Sequence, residues 1–196
     1  IMHSISLKLR LNPTPEQAHR LVRLQTMFAE ACTSLGPLVR ETRCWNRVAL
    51  HHLAYRRLRE SFPELGAQMA CNAIYSVSRA ARQVYQGKNS PWQIGKDHTR
   101  PLPLLAFGPG APVFFDRHTL SLRKSGISLF TLDGRLQFDL TLTEADRERF
   151  TNRGALREIM LNRNAQDNFF LYFFFGQKED RDLAELSDYL WVQEMA

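Results

Sequence analysis

The chain opens with a strand that cannot stand by itself. Residues 4–11 read SISLKLRL, an alternation that puts Ile5, Leu7, Leu9 and Leu11 on one side and Ser6, Lys8 and Arg10 on the other. That is the period-two pattern of a half-buried β-strand with a basic outer side. An isolated strand is not stable in water, and the segments that follow carry helical spacing. The first strand-like patterns that could pair with it begin after residue 112. The chain is therefore expected to be α+β: a small antiparallel β-barrel, built from the first strand and the C-terminal half, interrupted by an inserted helical bundle.

The helical part is read from caps and periodicity. Thr14, Pro15 and Gln17 make a capping box with proline at the first helical position, and Leu21, Leu24, Phe28, Ala31, Cys32 and Leu35 continue the apolar stripe until Gly36-Pro37 stops it. A second helix is predicted over residues 45–61, with Leu50, Leu53, Ala54 and Leu58 inward and Arg47, Arg56, Arg57 and Arg59 elsewhere. A third covers residues 65–85, with Ala70, Ala73, Ile74, Val77, Ala81 and Val84 inward and Gln68, Asn72, Arg79, Arg82 and Gln83 on more polar faces. Residues 86–112, which include Lys88, are dense in Gly, Pro and Asn and read as a connector.

Strands are predicted at 113–115, 119–123, 127–132 and 135–140, with KSG and LDG as turn signals. A short helix follows over 143–150, where Thr143 and Asp146 resemble a cap, and strands return at 158–163 and 169–175. The last of these, FFLYFFF, reads as a central strand buried on both faces. Short strands joined by tight turns point to a barrel or sandwich. The divisions are 1–12 with 101–178 for the β-unit, 13–100 for the helical insert and connector, and 179–196 for an acidic tail.

Charge is unevenly spread. Residues 1–100 hold fifteen Lys and Arg against six Asp and Glu, residues 101–178 hold ten against eight, and residues 179–196 hold one against six. A basic body calls for a polyanionic partner. Other classes are disfavoured. No apolar run is long enough for a membrane helix and no secretion signal is seen, so a cytoplasmic location is expected. Cys32, Cys44 and Cys71 are scattered and read as reduced core residues. His51 and His52 point to different helix faces, the wrong geometry for a shared metal. No phosphate loop, metal-ligand spacing or activated nucleophile is found, and Asp116, Asp133 and Asp139 read as turn residues. No cofactor, metal or catalytic residue is assigned.

Four blocks, LKLRLNPTPEQ, ETRCWNRVALHHLAYRRLRE, AQMACNAIYSVSRAARQVY and DRHTLSLRKSGISLFTLDGRLQFDL, taken in order, resemble the N-terminal half of the TnpB family of transposon-encoded, RNA-guided nucleases related to type V CRISPR effectors. The resemblance implies a wedge β-barrel split by a helical recognition domain. It implies as partners a guide RNA and double-stranded DNA beside a short motif. It also implies that Gln68, with Asn72 one turn on, reads bases in that DNA. The cations Lys8, Arg10, Arg79, Arg82, Lys88, Arg117, Arg123, Lys124 and Arg135 would hold nucleic-acid backbone, which gives affinity with little sequence information.

One departure bears on chemistry. Where TnpB relatives carry a segment like DFLGVDLGI, with the first metal-binding Asp of a RuvC-like nuclease, this chain reads SDYLWVQEMA and places Gln193 at the Asp position. A neutral amide cannot supply the charge a two-metal site needs. The expectation is a binding module that does not cut DNA, whose further partner is a separate nuclease-bearing chain or a second copy of itself. Two rivals stay open: an RNA-independent helix-turn-helix DNA-binding protein or transposon-derived remnant, and a protein-protein adaptor.

Overall fold

The structure, a computed structural model, describes residues 5–95, 97, 99–151, 156–176 and 187–194. The side chains of Ile5 and Ser6, and residues 179–186 of the acidic segment, lie outside the described residues. The chain is α+β and divides into two compact units, one of residues 1–26 with 112–179 and the other of 27–111 with 180–196.

β1 (Ile5–Arg10) of the first unit leads into α1 (Pro15–Ser34), whose residues from 27 on belong to the second unit and whose start is fixed by the predicted box: the Gln17 N–H donates to Thr14 Oγ1 at 3.2 Å and the Thr14 N–H donates to Gln17 Oε1 at 3.0 Å. β3 (Val113–Phe115), β7 (Leu156–Arg163) and β8 (Phe169–Phe175) join β1 in a four-stranded antiparallel sheet ordered β1-β8-β7-β3. β1 pairs with β8 from Ile5↔Phe175 to Arg10↔Phe170, the long-range partnership that an orphan first strand demands. β4 (Leu120–Arg123), β5 (Gly126–Thr131) and β6 (Gly134–Asp139) form a separate three-stranded meander, and α5 (Glu144–Thr151) follows it, with Thr143 Oγ1 capping the Asp146 N–H at 3.1 Å. Leu7 and Leu9 of β1, Phe173 and Phe175 of β8, Leu122 of β4 and Phe150 of α5 line one small apolar space between these elements.

The ladders of the described residues do not close into a barrel. Asp116 supplies the reason at one break: its Oδ1 accepts from the His118 N–H at 3.0 Å, the Thr119 N–H at 2.9 Å and the Thr119 hydroxyl at 2.9 Å. This side-chain turn spends the backbone donors that would have carried the β3 ladder onward and starts β4 in a new sheet. A second expectation is corrected at β8. The strand is central, but Phe169, Leu171, Phe173 and Phe175 are buried while Phe170, Tyr172 and Phe174 are partly exposed. An all-apolar run hides a period of two, because the sequence has no polar residue to mark the outer face.

The second unit contains α2 (Gly36–Thr42), α3 (Arg47–Ser61) and α4 (Gly66–Gln86). Gly36-Pro37 does end α1 but does not end helical structure, since Pro37 lies in the first turn of α2, where its fixed φ suits a helix start. The Asn46 side chain caps α3 by accepting from the Val48 and Ala49 N–H groups at 3.1 and 3.2 Å. α3 buries Leu50, Ala54 and Leu58, whereas Leu53, expected inward, is 48% exposed, because a three-residue step leaves the stripe that four-residue steps maintain.

Two further readings are revised here. The connector contains β2 (Leu104–Phe107), and the acidic segment contains β9 (Leu190–Gln193); the two pair antiparallel from Leu104↔Gln193 to Phe107↔Leu190. The Phe107 N–H also donates to Thr33 Oγ1 at 2.9 Å, and the Trp92 indole N–H donates to Glu194 Oε1 at 2.7 Å. Gly108 permits the approach of β9, since a Cβ there would stand 2.9 Å from the Trp191 ring. Pro101 and Pro103 made this region read as loop, yet both precede the strand and remove no ladder donor from it. None of the three cysteines is in a disulfide; Cys32 is buried, with burial pushing its pKa up to about 12, while Cys44 and Cys71 are only half-buried. No helix among the described residues is long and apolar enough to cross a membrane.

Candidate nucleic-acid interface

The residues expected to meet nucleic acid separate, side chain by side chain, into accessible groups and structural ones. On α4 the accessible stripe runs through Gln68, Cys71, Tyr75, Arg79, Arg82 and Gln86, in steps of three and four, with Gln68 exposed and the two arginines half-buried. Asn72 is not on that stripe. It is 7% exposed, and its amide donates to Met69 Sδ at 3.5 Å. Its place differs from the accessible face expected of it, and reaching a base edge would require unpacking a buried amide. A four-residue step from Gln68 pointed to Asn72, but α4 buries most of its circumference and leaves only a narrow strip, which the three-residue step to Cys71 follows.

α3 adds exposed Arg47, Arg56, Arg57 and Arg59, with the Arg47 guanidinium 5.1 Å from the Tyr75 ring centroid and Arg59 donating to the Tyr55 hydroxyl at 3.0 Å. His51 stacks on Tyr55 at 4.8 Å between ring centroids. Lys88 is exposed beyond the end of α4. The unit thus presents cations on two adjacent helices, with Gln68 at the start of the second.

In the first unit, Lys8 and Arg10 are exposed on β1, and the Arg10 guanidinium donates to Asn168 Oδ1 at 3.1 Å. Arg123 and Lys124 are exposed at the β4–β5 turn. Arg147 of α5, which sequence reasoning missed, joins them by donating to their two backbone carbonyls at 2.8 and 2.6 Å. Helical spacing gave no hint of this, since the contact crosses from a helix to a turn twenty-odd residues earlier.

Arg117 and Arg135 are otherwise engaged. Arg117 is half-buried with its guanidinium 4.9 Å from the Phe150 ring centroid. Arg135 donates from Nε to Ser128 Oγ at 2.8 Å, and from Nη2 to the Ser128 carbonyl at 2.9 Å and Ser121 Oγ at 3.2 Å; Nη1 donates to the His118 carbonyl at 3.3 Å. Arg135 is exposed, and its planar fork joins β6 to β5 and β4. Arg20 and Arg23 of α1, also unforeseen, tie the β5–β6 turn through Thr131 and Asp133.

Among the described residues no group of three or more His, Cys, Asp and Glu side chains is placed to hold a metal ion. Gln193 pairs with Leu104 in the β2–β9 ladder. Neither a family model nor a curated protein matches the chain.

Proposed function

We propose that the chain is a nucleic-acid-binding module of the wedge-and-recognition kind that its sequence resembles, holding a guide RNA and double-stranded DNA beside a short motif. The first unit, with two sheets and α5 around one apolar space, serves as an open version of the wedge barrel, and α2 to α4 serve as the recognition insert. The observation that carries the reading is the β1–β8 pairing from Ile5↔Phe175 to Arg10↔Phe170, which makes the β-unit discontinuous around helices in the order the resemblance requires.

Within this reading Gln68 contributes base discrimination through its amide, and the accessible cations on α3, α4, β1 and the β4–β5 turn contribute phosphate affinity. The task proposed is binding. Scission would need a separate nuclease-bearing chain, because Gln193 carries no charge for a metal and a second copy carries the same residue.

The test is to purify the chain from its native host and sequence the small RNA that co-elutes. One enriched RNA species, with duplex DNA binding that depends on it, is the expected result; no enriched RNA would overturn the guided reading. The helix-turn-helix rival, favoured by the exposed arginines of α3, predicts tight duplex binding in ribonuclease-treated protein with a steep salt dependence.

A further inference from the structure

The outer face of β8 is aromatic where a sheet facing solvent is ordinarily polar. Phe170, Tyr172 and Phe174 alternate with the buried members of the same strand, so folding of the apolar core does not require them to be aromatic. They form an ordered row: the Tyr172 and Phe174 rings lie 6.2 Å apart and within 10° of parallel. Cations line it. Lys8 Nζ stands 4.3 Å from the Phe170 centroid and 5.6 Å from that of Tyr172, and the Arg157 guanidinium lies 5.7 Å from that of Phe174. Arg10, opposite Phe170 in the β1–β8 register, extends the cationic edge. The acid that shares the face, Glu158 opposite Phe174, is buried at 6% exposure and presents little charge to solvent.

We propose that this face is a stacking platform for single-stranded RNA, on which unpaired bases lie against Phe170, Tyr172 and Phe174 while Lys8 and Arg10 hold the adjoining phosphates. The inference rests on the nucleic-acid reading above and deepens it by naming where an unpaired segment sits. Three arguments select the ligand. Aromatic faces interleaved with cations are the combination that binds unpaired nucleotides, since every base has a π-face and every linkage a negative charge. A duplex cannot use the platform, because its bases are stacked on one another and do not splay onto a side chain. A protein partner fits poorly, because lysine is depleted from the cores of protein interfaces. When a base arrives, the Lys8 ammonium exchanges its place over the ring for a phosphate, keeping its charge compensated throughout.

The experiment uses the full chain, stripped of co-purified RNA, with two probes: a fluorescent oligouridine and a duplex DNA. Tyr172→Leu and Phe174→Leu keep apolar bulk and remove the ring. Each is expected to weaken oligouridine binding about tenfold while leaving duplex binding unchanged, from the usual strength of base–aromatic stacking. Lys8→Gln is expected to lower the salt dependence of oligouridine binding by about one counterion. If the leucine variants bind oligouridine as tightly as the parent, or if the parent binds duplex DNA but not oligouridine, the platform is refuted while the nucleic-acid reading stands. If the parent binds neither probe and carries no RNA, both fall. Photocrosslinking of the unaltered chain to a thiouridine-substituted oligomer covers the case of a variant that misfolds. Adducts within Phe169–Phe175 support the platform, and adducts only elsewhere refute it.

Discussion

Replacing Arg135 separates a clamp from a phosphate contact. Its guanidinium makes four hydrogen bonds, and the two to Ser128, at 2.8 and 2.9 Å, end on a residue with no solvent exposure. Losing them in Arg135→Gln takes a charged donor from a buried hydroxyl and from a buried carbonyl that otherwise has the β4–β5 ladder. A hydrogen bond from a charged donor contributes about 1.5–3 kcal/mol net, and the exposure of Arg135 itself pulls the sum toward the low end, so the loss is about 2–3 kcal/mol. For a chain of this size that lowers the melting temperature by about 5–10 °C. Arg135→Lys, which keeps the charge but not the fork, is expected to lose nearly as much.

The assay pairs thermal melts followed by circular dichroism with a duplex DNA titration well below the melting range. Affinity is expected to be unchanged in both variants. Lys124→Gln is the contrast: an exposed cation whose loss leaves the melt alone and reduces the salt slope of binding by about one. An Arg135→Gln protein that melts like the parent and binds DNA more weakly would refute the clamp.

Gly36→Ala should destabilise the chain by about 2–3 kcal/mol, because the added Cβ would stand 2.2 Å from the Leu105 carbonyl oxygen and push α2 off β2; a chemical denaturation midpoint equal to the parent's would contradict the close approach. Tyr85, fully buried, donates to the Pro103 carbonyl at 2.7 Å, and burial pushes its pKa up to about 12 against a weaker opposing pull from Arg40 and Arg43. An unfolded tyrosine ionises near pH ~10, so this stabilisation is complete below that pH and fades as pH rises toward the folded value, by about 2–3 kcal/mol in all. Denaturant midpoints measured across that alkaline window should fall more steeply for the parent than for Tyr85→Phe; parallel slopes would show that the phenol is not protected.

The local signals in this sequence were strong where one residue type answers one backbone need. Thr14, Pro15 and Gln17 specified a helix start that needs nothing from the rest of the chain, and Thr143 did the same for α5. The turns between β4, β5 and β6 were legible because the residues between the strands mark a meander by themselves. That β1 pairs with a strand of the C-terminal half followed from elimination, since an unpaired strand is not an available state, but only the fold selected β8 among the candidates.

What the sequence left undecided was which side of an element meets solvent when composition carries no contrast, and which loops meet when the partner is far along the chain. β8 has seven apolar residues in a row, so only the sheet on its inner face could make Phe173 core and leave Tyr172 accessible. α4 is amphipathic, yet the width of its open stripe depends on how much neighbouring chain covers it, and that put Asn72 inside and Gln68 out. β2 and β9 have no hairpin to announce them; each is a short, ambiguous run until the other lies beside it. Arg135 makes the same point for charge. The sequence shows only a guanidinium on a strand's polar face, and it is the fold that brings Ser128, Ser121 and His118 within its reach, because hydrogen-bond geometry between elements is set by tertiary distance and not by position in the sequence.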